Sequence, residues 1–226
     1  KRYFHVRTIP EVSRTGEISS ILSISRDMTD FKLAEEKLRK VHRALVTLTE
    51  CGRSISRAAS EHELLEDVCR VIVEKGGYRL AWVGYAEHDE VKRIRPIAQW
   101  GYEKGYLEKV NVTWREDTER GKGPTGTAFR TGKPNIIRYV ATDPMFRPWR
   151  EEAIKRGYAS VMGIPLIRDE EKFGVLTIYA KEENAFDGDE QELLEELAGD
   201  LVYGIMFQRA RRERQDALLE LRKTKD

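Results

Sequence analysis

The chain has 226 residues, 40% of them hydrophobic and 35% charged, with 40 Lys plus Arg against 39 Asp plus Glu. A core can form, and a charge fraction above the usual quarter predicts prominent solvent-facing helices. The near-balance of charge gives no electrostatic reason to expect nucleic acid or an anionic membrane as partner. Two cysteines, Cys51 and Cys69, make no disulfide framework and fit a reducing compartment. No apolar run approaches the ~20 residues that span a bilayer. The expectation is a cytoplasmic protein without membrane contact in this segment. The first residue is Lys1, the first segment is already strand-like, and no signal-peptide pattern opens it, so a fragment of a longer protein is expected.

Residues 3–9 and 18–25 alternate apolar and polar side chains around a polar stretch, 11–17, that holds Gly16. This predicts a β-hairpin. Two strands alone are marginal in water, so the hairpin is expected to pair with other sequence, rearrange, or pack on another subunit. The second strand runs out into Arg26-Asp27-Met28-Thr29-Asp30. Asp27 and Thr29 are good helix-start residues. A strand pair ending in Asp-x-Thr before a charged helix also resembles the C-terminal end of a PAS domain. That resemblance implies that Asp27 and Thr29 tie the last strand to an outgoing signalling helix.

From Asp30 the pattern becomes helical. Phe31, Leu38 and Leu45 recur every seven residues with Gly52 next in register, and Ala34, Val41, Leu48 and Ile55 form a series offset by three. Together they make an a/d seam. A seam this narrow suits a partner helix in a dimeric coiled coil; the alternative is one amphipathic helix packing on its own domain. His42 on this helix has no Pro after it and reads as a surface histidine rather than a phosphoacceptor.

Ser60 is placed to cap a second helix, with Glu63 completing a capping box. Leu64, Leu65, Val68, Val71 and Ile72 give its apolar face, and Gly76-Gly77 ends it. Strands are predicted over 78–86 and 91–100, and a weaker one over 110–114. After the loop 115–122 comes a short helix, 125–131, bounded by Gly123 and Gly132. A short strand, 135–139, precedes a turn or helix from Asp143-Pro144 through Trp149 to about 156. Residues 159–167 and 172–180 form a hairpin across 168–171, and 187–223 a long final helix. The fold class is α+β: an antiparallel sheet with long helices on one face and a loop-rich excursion over the other.

That layout, and four motifs in order, resemble the GAF family. They are Gly123-Pro124-Thr125-Gly126-Thr127-Ala128-Phe129 with Thr131-Gly132-Lys133-Pro134; Tyr158-Ala159-Ser160 leading to Gly163-Ile164-Pro165-Leu166; Phe173-Gly174-Val175-Leu176; and Asn184-Ala185-Phe186-Asp187 ahead of Glu190 and Leu193. The expected organisation is the C-terminal hairpin of a truncated PAS domain (1–29), a signalling helix (30–58), a GAF domain (59–207) and an output linker helix (208–226). The resemblance implies a small-molecule cavity between sheet and excursion. Trp100, Trp114, Phe129, Trp149 and Tyr158 lie in or beside the connecting segments, and Thr125, Thr127 and Ser160 offer polar contacts. Aromatics with few polar groups are the usual form of a ligand site; the same aromatics can also simply fill the space under the excursion.

Other chemistry finds little footing. Residues 121–126 match G-x-G-x-x-G with Asp143 downstream, but no apolar strand precedes them and Pro124 removes a backbone donor. No Walker sequence or nucleophile elbow occurs. The four histidines are scattered and neither cysteine belongs to a C-x-x-C pair, so no metal site is expected. Asn111-Val112-Thr113 matches a glycosylation acceptor, incidental in a cytoplasmic protein. Within the resembled family some members attach a bilin through cysteine, some bind cyclic nucleotides and some reduce free methionine sulfoxide. Cys51 and Cys69 precede the first GAF strand, which disfavours bilin attachment and thiol catalysis. The expected function is regulatory sensing: an unidentified ligand alters the GAF domain, and parallel coiled-coil helices at both ends, pairing with a second copy through Phe31, Leu38, Val41, Leu45, Leu48 and Ile55, relay the change to an output such as a histidine kinase. The competing readings are a ligand-free dimerisation module and a GAF-fold thiol reductase.

Overall fold

The computed structural model describes residues 2–12, 14 and 16–223. Residues 13 and 15 of the expected hairpin loop, residue 1, and 224–226 of the expected output helix lie outside the described residues. The chain divides into two compact units, residues 1–42 and 43–226.

In the first unit, β1 (Phe4–Val12) pairs antiparallel with β2 (Ile18–Asp27), from Phe4↔Asp27 inward. Phe4, Val6, Ile21, Leu22 and Ile24 are all exposed, so the hairpin has no core of its own. Its base is stitched to the start of α1 (Thr29–Arg57). Met28 N donates to Tyr3 O at 2.8 Å, Tyr3 N to Thr29 Oγ1 at 3.0 Å, and Thr29 N to Asp27 Oδ1 at 2.9 Å. Hydrogen bonds from Thr29 hold the Asp27 carboxyl below its usual range.

The second unit is built on a five-stranded antiparallel sheet in the order β4-β3-β7-β6-β5. The strands are β3 (Leu80–Ala86), β4 (Ile94–Gly101), β5 (Asn135–Ile137), β6 (Ser160–Arg168) and β7 (Glu171–Ala180). The central strands are covered on both faces and read as near-continuous apolar runs. One face packs against α2 (Glu61–Glu74) and α6 (Gly188–Lys223). Leu64, Leu65, Val68 and Ile72 meet Leu194, Leu197, Leu201 and Ile205 over Ala81, Val83, Met162, Leu176 and Ile178. Ser60 caps α2 as its spacing predicts: Glu63 N donates to Ser60 Oγ, while the Glu63 carboxylate takes the N–H of Ala59.

The other face lies under the excursion. It comprises α3 (Tyr106–Val110), α4 (Pro124–Thr131), a 3-10 helix (Pro144–Trp149) and α5 (Arg150–Lys155). The expected strand over 110–114 is absent. Residues 106–110 turn helically and only the bridge Arg93↔Thr113 remains. The turn or helix expected from Asp143-Pro144 to about 156 forms as a 3-10 segment, which holds Pro148 with no helical hydrogen bond to donate, followed by α5 from Arg150. Gly132, at φ 67°, ends α4 in the left-handed region.

Candidate ligand compartment

Residue parity on the strands decides what enters the compartment between sheet and excursion. Leu80, Trp82, Val161, Val175 and Tyr179 point to this face and join Tyr106, Phe129, Phe146, Trp149 and Tyr158 in a second core. Helix α4 is its roof. A Cβ at Gly163 would lie 2.8 Å from Pro124 O, so the bare glycine lets α4 rest directly on β6. Thr125 Oγ1 then reaches Thr177 Oγ1 of β7 at 3.0 Å.

The rim is held by side chain to backbone bonds. Trp149 Nε1 donates to Val110 O at 2.7 Å and Trp114 Nε1 to Glu87 O at 3.1 Å. The Tyr158 hydroxyl donates to Tyr102 O, and Arg156 reaches Glu103 O and Lys104 O at 2.9 and 2.8 Å. Beneath α4 lies a void of about 10 Å³ bordered by Val110, Thr125, Phe146, Trp149 and Tyr179, room for at most one water. Toward β4 the same core opens into a cleft of about 240 Å³ bordered by Trp82, Ile94, Leu107, Val110 and Val112.

Trp82 Nε1 and the Tyr106 hydroxyl are buried in this core beside the Tyr179 hydroxyl, at a geometry short of an ordinary hydrogen bond. The Tyr106 ring stands edge-on to Tyr158 and Tyr179, at 5.2 and 5.6 Å. Burial pushes the Tyr106 and Tyr158 phenols well above their usual range and Tyr179 up to about 12. All three are therefore neutral near pH 7, able to donate a hydrogen bond but not to act as phenolates. A buried hydroxyl in a poorly formed hydrogen bond recovers only part of its desolvation cost. Tyr106→Phe is accordingly expected to shift stability by no more than about 1 kcal/mol, read as a urea midpoint near the parent's at unchanged slope.

Of the eight residues the sequence singles out, the structure brings Trp114, Thr125, Phe129, Trp149 and Tyr158 into this core or its rim. Thr127 sits on the outer side of α4, its hydroxyl on Lys122 O at 3.1 Å. Two placements need correcting. Trp100 pairs with Ala81 and so faces the helix side of the sheet, where it is 43% exposed. Ser160 pairs with Ala180 on that same side, and its hydroxyl donates to Glu182 O at 2.7 Å. Trp82, Tyr106, Phe146 and Tyr179 are missed by the sequence reading. Alternation along β3 and β7 carries the signal for Trp82 and Tyr179; Tyr106 stands in a segment that reads only as a connector.

The helix seam is likewise divided. Phe31, Leu38 and Leu45 are exposed, and Val41 is half-buried. Leu48 and Ile55 pack against the helix-side core of their own domain. A buried ionic junction joins α1 to the start of α6. Arg43 Nε and Nη2 donate to Glu190 Oε1 at 3.0 and 2.6 Å, and the Tyr78 hydroxyl donates to the same oxygen at 2.6 Å. The Arg43 guanidinium lies 4.4 Å from the Tyr78 ring centre, and Tyr78 stacks on Phe186. Farther along, Gln208 Nε2 donates to Ala58 O at 2.7 Å and Arg209 forks onto Glu61. Helix α6 is thus tied near both ends of the domain to the chain entering it.

Both cysteines are buried, Cys51 on α1 and Cys69 on α2. Burial pushes the Cys51 thiol far up and Cys69 up to about 12. Protonated, inaccessible thiols are poor nucleophiles. Ellman's reagent is expected to titrate under about 0.1 equivalent rapidly in the native chain and both thiols after unfolding. Among the described residues no three His, Cys, Asp or Glu side chains gather as a metal site would require, and no helix is long and apolar enough to cross a membrane.

The five-stranded antiparallel sheet, helices on one face and roofed aromatic compartment on the other define a two-layered α+β domain with a covered second core. A family model described as GAF domain matches residues 58–205, more than half of the chain. The chain belongs to the GAF domain family. It is 29% identical over 182 residues to a methyl sulfide methyltransferase-associated sensor of Methanosarcina acetivorans, which covers 80% of this chain but only 17% of that protein's length. Among solved structures it is similar to the GAF domain of a phosphoenolpyruvate-protein phosphotransferase from Coxiella burnetii, with TM-score 0.62 and 20% identity over 76% of this chain and 98% of that one. It is equally similar to a free methionine-R-sulfoxide reductase from Neisseria meningitidis in complex with its substrate, with TM-score 0.62 and 18% identity over 76% and 93%.

Proposed function

We propose that this chain is the sensory segment of a larger cytoplasmic signalling protein. Its GAF domain binds a small molecule in the compartment under α4, and α1 and α6 carry the resulting change to an output domain, a histidine kinase being our reading. The segment itself catalyses nothing, and it pairs with a second copy through its terminal helices. The hairpin ending in Asp27-x-Thr29, stitched to α1, is the end of a PAS domain in this reading.

The observation that carries the ligand reading is the cluster of Trp82 Nε1, the Tyr106 hydroxyl and the Tyr179 hydroxyl, polar atoms buried together in an otherwise aromatic core with poorly formed hydrogen bonds among them. Buried polar groups are normally satisfied, and an exception calls for a partner. About 10 Å³ is free beneath α4, so the roof sits closed over this part of the core. Binding then requires α4 and its flanking loops to move, and a ligand shifts that equilibrium only by favouring the open state. The ionic junction at Glu190 gives the open state a route to α6. Support for sensing also comes from the sensor of Methanosarcina acetivorans. The buried, protonated thiols speak against sulfoxide reduction, despite the resemblance to a reductase.

Equilibrium dialysis of the chain against a cell extract, followed by mass spectrometry, tests the reading. One retained metabolite that raises the melting temperature is expected, with retention reduced by Tyr106→Phe. The small void favours a second reading, a ligand-free dimerisation module. That reading stands if nothing is retained and Tyr106→Phe changes stability alone.

A further inference from the structure

Helix α6 is segregated by charge along its length. Residues 188–200 hold six acidic residues and no basic one, whereas 209–214 hold four arginines and one glutamate. Between them lies an apolar stretch whose inner side, Leu201, Gly204 and Ile205, is buried in its own domain. Its outer side is open: Tyr203 is 82% exposed and Phe207 62%. Gly199, one turn before Tyr203, leaves a hole in the same face, since a Cβ there would meet nothing within 4 Å. A groove of about 610 Å³ opens beside it, between Gly199, Val202 and Met206 of α6 and Ile167 and Arg168 at the β6–β7 turn. Every residue from 211 to 223 is exposed.

We propose that this face of α6 is a self-complementary dimer surface that pairs antiparallel with α6 of a second copy, about a two-fold axis at Tyr203. The proposal rests on the reading that the chain pairs with itself, and it departs from the parallel arrangement the sequence suggests for relay helices. With Tyr203 opposite Tyr203, Phe207 of one copy falls on the Gly199 hole of the other. Glu192 then faces Arg214, and Glu196 lies beside Arg211, each contact occurring twice by symmetry. The residues that meet, Glu192, Glu196, Gly199, Tyr203, Phe207, Ala210 and Arg214, follow one another at spacings of three and four along the exposed face. The overlap runs from Gly188 to Leu218, about 45 Å of helix, and gives the exposed segment after Gln208 a partner. A parallel pair would set glutamates against glutamates and arginines against arginines, and would place Gly199 on Gly199 with no side chain to fill the gap. An apolar centre flanked by complementary charge is the ordinary anatomy of a specific interface.

Sedimentation equilibrium of the full 226-residue chain tests this with three charge variants. Arg211→Glu/Arg214→Glu and Glu192→Arg/Glu196→Arg are each expected to raise the dimer dissociation constant about tenfold or more. The fourfold variant combining them restores the charge pairs and is expected to return it to within about threefold of the parent; it is also the control for folding. In addition, a mixture of Gly199→Cys and Phe207→Cys chains is expected to form a mixed disulfide on mild oxidation. Phe207→Cys alone is expected not to link to itself, since its two copies stand about 12 Å apart along the axis. A dimer in which Phe207→Cys links to itself and the fourfold variant rescues nothing overturns the antiparallel pairing while leaving self-association intact. A parent chain that stays monomeric at about 100 μM, well above the dissociation constants of ordinary specific dimers, overturns both. Neither outcome bears on ligand retention, which dialysis reads separately.

Discussion

Arg43→Ala is expected to lower the stability of the GAF unit by about 3–5 kcal/mol, the range for removing one partner of a buried ion pair. The side chains involved are nearly inaccessible: Arg43 is 9% exposed and Glu190 0%. Without the guanidinium, the Glu190 carboxylate keeps only the Tyr78 hydroxyl on Oε1, and its Oε2 already lacks a partner. The double replacement Arg43→Met/Glu190→Leu is expected to recover most of the loss, because an apolar pair removes the charge instead of stranding it.

The pH dependence has a definite sign. Burial pushes the Glu190 carboxyl above its ordinary value of 4.5, against the pull of Arg43 and Tyr78. A raised carboxyl means that the native state binds more protons than the unfolded state just above 4.5. This group's contribution is therefore greatest in acid and is lost as pH rises through the native value. In Arg43→Ala the strongest opposing pull is gone, so that window extends upward. The deficit relative to the parent is expected to be smaller near pH 5 than near pH 8, as measured by urea unfolding at both. An equal deficit at the two values would mean that Glu190 does not carry the charge.

Gly163→Val is expected to cost about 3 kcal/mol, the upper end for overpacking. The new Cβ would stand 2.8 Å from Pro124 O, 2.9 Å from its carbonyl carbon and 3.1 Å from Thr125 N. These are backbone atoms of α4, which cannot swing aside as a side-chain end can. The roof must lift, and the Thr125–Thr177 hydroxyl contact at 3.0 Å must break with it. Faster amide exchange over 123–131 in the variant, with α2 unchanged, would place the damage in the roof. Global loss of protection would place it in the sheet.

Much of the GAF fold is legible in the sequence because its elements carry local signals. The Ser60–Glu63 cap, the Gly123 and Gly132 boundaries of α4 and the β6–β7 hairpin are written within a few residues of where they act. The errors have equally specific causes. Trp100 and Ser160 read as pocket residues because they flank the excursion, but strand register with Ala81 and Ala180 turns them to the helix side. A one-residue change of parity reverses the face. The expected strand near Val112 became a single bridge because Tyr106–Val110 coils into a helical turn first.

Periodicity, capping and turn residues thus determine which segments are helices and strands, and the order of four motifs determines the family. Those signals act over a few residues and need no knowledge of the rest of the chain. Only the tertiary structure decides that about 10 Å³ is left beneath α4. It alone decides that Trp82 and Tyr106 gather at the Tyr179 hydroxyl there, and that Arg43 meets Glu190 across 147 residues. Each of these depends on which distant side chains share a face and how completely they fill the space between them, and close packing sets that for the whole molecule at once.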